Sequence, residues 1–514
     1  MQPTDPSRSL WLDRTTRTVS DAYEPGAHYD TVVIGAGLTG LTTAVVLARA
    51  GQRVAVLEAR HIGAAATGNT TAKLSLLQGS VLSSIRRHFS AKVVEAYIAG
   101  NRAGQDWMLR FLAEQHVAVQ RRDAYTYATS ESGVSTLDDE QNAAHEVGFA
   151  LERVDDVGLP FPTLGGILLR DQAQFDPMDV LDALTAHLRT LGGIVVEGQR
   201  VTDVSASDPA EITTHGGTVT ADHVVVATGT PILDRGLYFA KLIPNRSYAA
   251  AYRVPGSPAS IPTAMYLSAD SPTRSLRTAP VNGEELLLVG GNGHVVGRPT
   301  STVEKVADLD AWARTNFPGA ELTHRWSAQD YTSANMVPFV GWLPRGRGRI
   351  FVATGYNKWG MTNGVAAALS LADDILDTKE HRDWTRVLHH RVTGVHDLAT
   401  AAKAGIEVAA EYAKGWTRAE ITGPELTPGE DVPGEGQGIV GRQGRAPVAL
   451  STVDGETCAV SGVCTHLGGI LNWNDVERTW DCPLHGSRFA SDGALLEGPA
   501  VEDLPRVKDV TGSE

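Results

Sequence analysis

The stretch Val32-Val33-Ile34-Gly35-Ala36-Gly37-Leu38-Thr39-Gly40 constrains the fold more than any other part of this 514-residue chain. It sets G-x-G-x-x-G between an apolar run at residues 31–34 and a helix-patterned stretch at 38–50, and a second apolar run follows at 53–57. The first glycine permits a tight turn, the second lets backbone approach a pyrophosphate, and the third lets the helix lie close to the strand. The helix N-terminus then offers N–H groups and positive dipole to the phosphates. Glu58 closes the second strand, about 20 residues on, where an acid holds a ribose hydroxyl. Strand, glycines, helix and acid together predict a doubly wound α/β domain that cradles a dinucleotide.

Two later segments repeat the theme. Residues 221–229 and 349–364 each run from an apolar strand into Ala-Thr-Gly. The second leads into a helical run at 365–376, so another helix N-terminus is aimed at an anionic or electron-rich group. With these segments the chain resembles the glycine oxidase/D-amino acid oxidase superfamily of FAD oxidoreductases over about residues 29–377. The matches are Gly35, Gly37 and Gly40 with Glu58; Gln174-Phe175-Asp176-Pro177 before a helix; residues 198–202; Ala227-Thr228-Gly229; and the stretch from Gln329-Asp330-Tyr331 to Pro338-Phe339-Val340-Gly341.

The resemblance implies that FAD is held by Gly35, Ala36, Gly37, Leu38, Thr39, Gly40 and Glu58, then by Thr70 and Thr71. It places Val201 at the adenine, Thr228 and Gly229 on the next strand end, and Gly355, Met361 and Thr362 toward the flavin pyrimidine. It also implies an interleaved domain over 29–394. FAD-binding segments at about 29–90, 165–230 and 326–388 would alternate with α+β substrate-side segments at about 91–164 and 231–325.

Gly68-Asn69-Thr70-Thr71-Ala72-Lys73 replaces the Ser/Arg/Asn-rich stretch usual in amine oxidases of this superfamily. This departure weakens the case for a standard amino acid, and the expected substrate is a small amine or amino-acid-like molecule. Lys73 reads either as a cation that stabilises anionic reduced flavin or as a surface lysine on a loop. Lys73, Tyr356 and Trp359 form the expected catalytic pocket, with Arg274, Arg277, Tyr331 and Asn357 as further candidates and no single base standing out. Gly290-Gly291-Asn292-Gly293-His294 lacks the third glycine of a nicotinamide-binding fingerprint and reads as a hairpin turn.

The style of the chain changes after an Ala-rich helical connector at 395–420. Over 421–514 Pro and Gly are dense and strands are short, at 438–442, 447–452 and 457–460, which predicts a small all-β module. It carries Cys464-Thr465-His466 and, after fifteen intervening residues, Cys482-Pro483-Leu484-His485. Two thiolates on one iron and two imidazoles on the other are the ligand set of a [2Fe-2S] centre in which histidines replace two cysteines. Zinc takes the same four donors, although its usual spacing is C-x2-4-C followed by H-x3-5-H.

The pattern resembles the Rieske family over about 421–507. That resemblance implies no disulfide between the ligand loops, since Gly469 and Leu484 occupy the bridging places. It also implies a Ser487 hydroxyl donor to a cluster sulfur, and Phe489 where a tyrosine donor is expected. An intermediate potential follows, within about −150 to +300 mV. Cys458, on the preceding strand, reads as a buried inert thiol.

A net charge of -15 disfavours a nucleic-acid partner, whose phosphates need Lys and Arg. The polar leader at 1–28 has no secretory pattern, and no apolar run is long enough to span a bilayer. Three cysteines are too few for a disulfide framework and suit a reducing compartment, the cytoplasm. The whole reads as a two-centre redox enzyme, in which a small-molecule substrate reduces FAD and the cluster relays electrons to an electron-transfer protein or quinone. Reverse flow and a redox sensor without turnover are the alternatives.

Overall fold

The computed structural model describes residues 8–14, 18–299, 301–389, 395–419, 423–427 and 431–507. Parts of the expected leader, of the 395–420 connector and of the 421–514 segment lie outside the described residues.

Strand His28–Ile34 sits at the centre of an eight-stranded sheet, parallel to Val54–Leu57 on one side and to Gly217–Val226 on the other. Ile350–Thr354 and Ile194–Val196 extend it. Alternate side chains leave by opposite faces. Val33 packs with Leu41 and Val45 of helix Leu38–Arg49, whereas Val32 and Ile34 pack with Val201, Val204 and Ile212 of an antiparallel hairpin on the other face. Helix Leu38–Arg49 lies between helices Pro177–Thr190 and Gly360–Leu376. The Pro177 helix begins as its sequence dictates, with Asp176 accepting from Met178 N–H and proline at the first helical position.

A nine-stranded mixed sheet forms the second layer, and it takes more of the chain than expected. Lys73–Leu74 and Gly166–Gln174 pair with each other here, and Gly166–Gln174 also pairs with Gln120–Tyr127. Glu321–Ser333, which straddles the expected boundary at 326, pairs along its whole length with Leu242–Arg253. The expected FAD-binding segments 29–90, 165–230 and 326–388 therefore each lose a strand to the other layer.

Gly290 to His294 is not a hairpin turn. It continues strand Glu284–Val295, with Gly290 opposite both Ala249 and Ser275. A Cβ on Gly291 would lie 2.6 Å from the Thr273 carbonyl oxygen, so close packing, not a turn, requires that glycine. The turn is Asn282-Gly283, at φ 51° and 84°, an Asn-Gly pair suited to a type I′ hairpin. The leader is also less loose than its polarity suggests. Leu10 and Trp11 are buried, the Trp11 indole donates to Thr70 O at 2.7 Å, and Arg277 lies over its ring.

Helix Val395–Thr417 leads to the C-terminal module, and its Trp416 indole donates to Gly468 O at 3.0 Å. The module has two antiparallel sheets: Gly438–Gln443, Ala446–Val453 and Glu456–Ser461 in one, and Asn472–Asn474, Thr479–Asp481, Arg488–Ala490 and Leu495–Glu497 in the other. Trp480, Phe489 and Leu471 fill its core beside Cys464 and Cys482. Among the described residues no helix is long and apolar enough to cross a membrane.

The third fingerprint glycine makes a direct prediction. A Cβ on Gly40 would overlap the carbonyl oxygen of Gly35. Gly40→Ala should destabilise the domain by about 1–3 kcal/mol and weaken FAD retention, as read from flavin content and melting temperature. Wild-type values for both would show that the helix does not pack on the turn in this way.

Candidate redox centres

A cavity of about 910 Å³ runs between the two large sheets, at the upper end of the 300–1,000 Å³ usual for small-molecule sites. Gly35, Gly37, Leu38, Thr39, Glu58 and Val201 line it, as do Lys73, Tyr356 and Trp359. The backbone fits a dinucleotide: Gly35 has φ 107°, and a Cβ there would lie 2.7 Å from Ala227 O. Glu58 is fixed at its strand end, accepting from Ala36 N–H and Arg60 N–H, each at 2.9 Å.

Two buried charged groups of this cavity are displaced from their ordinary protonation ranges. Lys73 is buried, and its Nζ donates to Tyr266 O and Ser275 Oγ, each at 2.6 Å. Burial, and then the nearby Arg277 cation, lower it to about 7. Asp330 is pushed up to about 6 by burial, against the attraction of Lys358, and its Oδ2 has no hydrogen-bond partner. The Tyr356 hydroxyl accepts from Thr39 Oγ1 at 3.0 Å, and burial raises its pKa.

Some 20 residues apart in the C-terminal module, two loops of the same form face each other. Cys464 N–H donates to Gly469 O and Gly468 N–H to Cys464 O; likewise Cys482 N–H donates to Ser487 O and Gly486 N–H to Cys482 O. Each turn directs two further N–H groups at its own sulfur, those of His466 and Leu467 at Cys464 and those of Leu484 and His485 at Cys482. The Ser487 hydroxyl adds a hydrogen bond to Cys464 and accepts from Ala500 N–H at 3.0 Å. The His466 and His485 rings stand edge to face at 5.2 Å.

This donor set fits a [2Fe-2S] group. His485 Nδ1 is buried without a partner, and burial, with His466 nearby, lowers the ring to about 4, which leaves it in the neutral form that binds metal. A Cβ on Gly469 would lie 2.7 Å from Leu484 Cδ1, so the two positions do face each other, and neither carries a sulfur.

The two sites share a wall. Gln329 Nε2 donates to Gly486 O at 2.8 Å and to the Tyr331 hydroxyl at 2.9 Å, and Tyr331 donates to Gly498 O at 3.2 Å. Both Gln329 and Tyr331 line the cavity. Buried Arg246 donates to Gln329 Oε1 at 3.0 Å and pairs with Glu477 at 3.3 Å. Phe239 packs edge-on against both histidine rings, and Asp234 Oδ1 lies 3.2 Å from His466 Nε2.

Comparison with known proteins agrees with this division. Residues 30–374 match the family described as FAD dependent oxidoreductase (DAO), and residues 425–508 match the Rieske [2Fe-2S] domain. The chain belongs to the FAD dependent oxidoreductase family. It carries a C-terminal Rieske domain, so FAD and a [2Fe-2S] cluster are its cofactors and it is an oxidoreductase. YhfW of Bacillus subtilis (strain 168), named as a Rieske 2Fe-2S iron-sulfur protein, is 30% identical over 506 residues, 97% of each chain. The cytochrome b6-f complex iron-sulfur subunit of Chlorobaculum thiosulfatiphilum is 35% identical over 86 residues, 16% of this chain and 47% of that one. The crystal structure of glycine oxidase from Geobacillus kaustophilus shares the fold, with TM-score 0.57 and 19% identity over 68% of this chain and 95% of that one.

Within this FAD dependent oxidoreductase most of the expected residues line the cavity: besides those above, Thr70, Thr71, Thr228, Gly229, Gly355 and Met361 do so, as do Tyr331 and Asn357. Ala36, Gly40 and Thr362 do not. Ala36 gives its N–H to Glu58, Gly40 packs on Gly35, and the Thr362 hydroxyl is turned to Asn101 Oδ1 at 2.6 Å. Lys73 is not a surface lysine. Arg274 and Arg277 leave the expected pocket: Arg274 binds Asn292 and Asp308, and Arg277 binds the carbonyls of Thr71, Ala72 and Phe175. Cys458 is half-buried beside Glu456, not sealed in the core. Asp330, Gln329 and Arg246 were not singled out from sequence as site residues; the Gln329-Asp330-Tyr331 stretch pointed toward the first two, and no local signal pointed to Arg246.

Ser487→Ala removes a side-chain hydroxyl directed at a ligand sulfur. The loss of a hydrogen bond worth about 1 kcal/mol should lower the cluster midpoint by roughly 40 mV, from a wild-type value within about −150 to +300 mV. A redox titration that finds an unchanged midpoint would remove Ser487 from the cluster's surroundings.

Proposed function

We propose that this enzyme oxidises a small amine or amino-acid-like substrate at the FAD site. The electrons then pass to a cluster held by Cys464, His466, Cys482 and His485, and on to an external electron-transfer protein or quinone in the cytoplasm. FAD bound in this cavity would supply hydride acceptance and single-electron release, the unit a [2Fe-2S] centre carries. The carrying observation is the Gln329 bridge, because Gly486 follows a proposed iron ligand directly and Gln329 lines the FAD cavity.

The cavity residues suit this chemistry. Lys73, at about 7, is a buried cation near the midpoint of its titration, able to favour negative charge in the cavity. Asp330, at about 6 and with a free oxygen, is fitted to hold a proton released by a substrate amine. Tyr356 and Trp359 give the pocket apolar walls. The division into an oxidoreductase unit at 29–394, a connector at 395–420 and a cluster unit at 421–514 is part of the same proposal.

The test is an anaerobic titration with small amines, imino acids and amino acids, followed by visible and electron paramagnetic resonance spectra. The expected result is flavin bleaching together with a reduced-cluster signal in the wild type. In Lys73→Met or Asp330→Asn, bleaching by the same substrate should slow by about tenfold or more. A cluster that only dithionite reduces would contradict the direction proposed.

A further inference from the structure

Leu496, Glu497 and Gly498 belong to the last strand of the Rieske domain and the turn after it, yet they line the FAD cavity. They lie near the end marked by Glu58. Arg200 Nη2 donates to Leu495 O at 2.8 Å, and Arg200, Val201 and Arg60 line the same cavity. Burial weakens the Arg60 cation, and the carboxylates of Glu497 and then Glu58 oppose that loss, which puts both acids within electrostatic reach of one guanidinium. Gly498 O is fixed by the Tyr331 hydroxyl at 3.2 Å. Arg488 holds Glu497 from the module side, at 3.8 Å. The segment is therefore anchored on both flanks and presents its middle to the cavity.

We infer that the iron-sulfur module supplies part of the FAD site, with Leu496, Glu497 and Gly498 closing its adenosine end. The wall is complete only while the module is folded and seated. FAD affinity and cluster retention are then coupled, and by thermodynamic reciprocity each cofactor favours the other. The coupling rests on the cofactor sites described above and is independent of the substrate and of the direction of electron flow.

Two measurements on the full chain test it, and neither uses a substrate. In the first, FAD is removed and re-titrated by fluorescence in the wild type and in Glu497→Ala. The dissociation constant should rise about tenfold in variant molecules that retain their iron and the dithionite-reduced resonance signal. In the second, wild-type protein with and without FAD is exposed to an iron chelator, and cluster loss followed at its visible band should be faster without FAD. An unchanged FAD affinity in a Glu497→Ala protein that keeps its cluster would overturn the inference. So would cluster loss indifferent to FAD in the wild type, a result that holds even if the variant fails to fold.

Discussion

The buried charge network at the seam between module and oxidoreductase is the constraint on which the rest of the structure depends. Arg246, from strand Leu242–Arg253, is fully buried and meets Glu477. Arg488 meets the same Glu477 and also Asp481 and Glu497. Such a network gains little over an apolar seam, but removing one partner strands a buried charge and costs about 3–5 kcal/mol. The seam therefore admits one register. Two glycines bring the backbones together there: a Cβ on Gly486 would lie 2.5 Å from Pro244 Cβ, and one on Gly297 would lie 2.8 Å from Pro483 N.

That register sets the geometry of both centres. Strands Leu242–Arg253 and Glu321–Ser333, paired over their full length, carry Asn245, Ser247, Gln329 and Tyr331 to the cavity and Pro244 and Gln329 to the cluster loops. One strand pair thus forms a wall of each site. The histidine edge of the cluster loops is meanwhile covered by Phe239 and Asp234 from the oxidoreductase, which leaves the His466 side chain 7% exposed. Exclusion of water at this edge strengthens whatever hydrogen bonds and charges act on the centre.

Much of this was legible in sequence, where chemistry imposes local spacing. Gly40 is demanded by the Gly35 backbone five residues earlier and Gly35 by its own positive φ, and the Cys-His pairs by two turns of identical form. What was not legible depends on partners far along the chain. Nothing near Gly166–Gln174 says that it pairs with Gln120–Tyr127 instead of extending the parallel sheet. Lys73, Arg246 and Asp330 belong to residue types that are solvated by default, so their burial needed the second sheet to be in place. Gly290 and Gly291 were read as a turn because a glycine required by a neighbouring strand looks like one required by φ. The Asn282-Gly283 signal eight residues earlier was the better guide.

The central claim is that the FAD and cluster sites form one fixed unit. Its most direct test is the rate of cluster reduction after a light pulse that reduces the flavin, measured over a wide range of protein concentration. Electron transfer within one molecule requires a first-order rate that does not change with concentration, and that is the expected result. A rate proportional to concentration would show that electrons travel between molecules, and would contradict it.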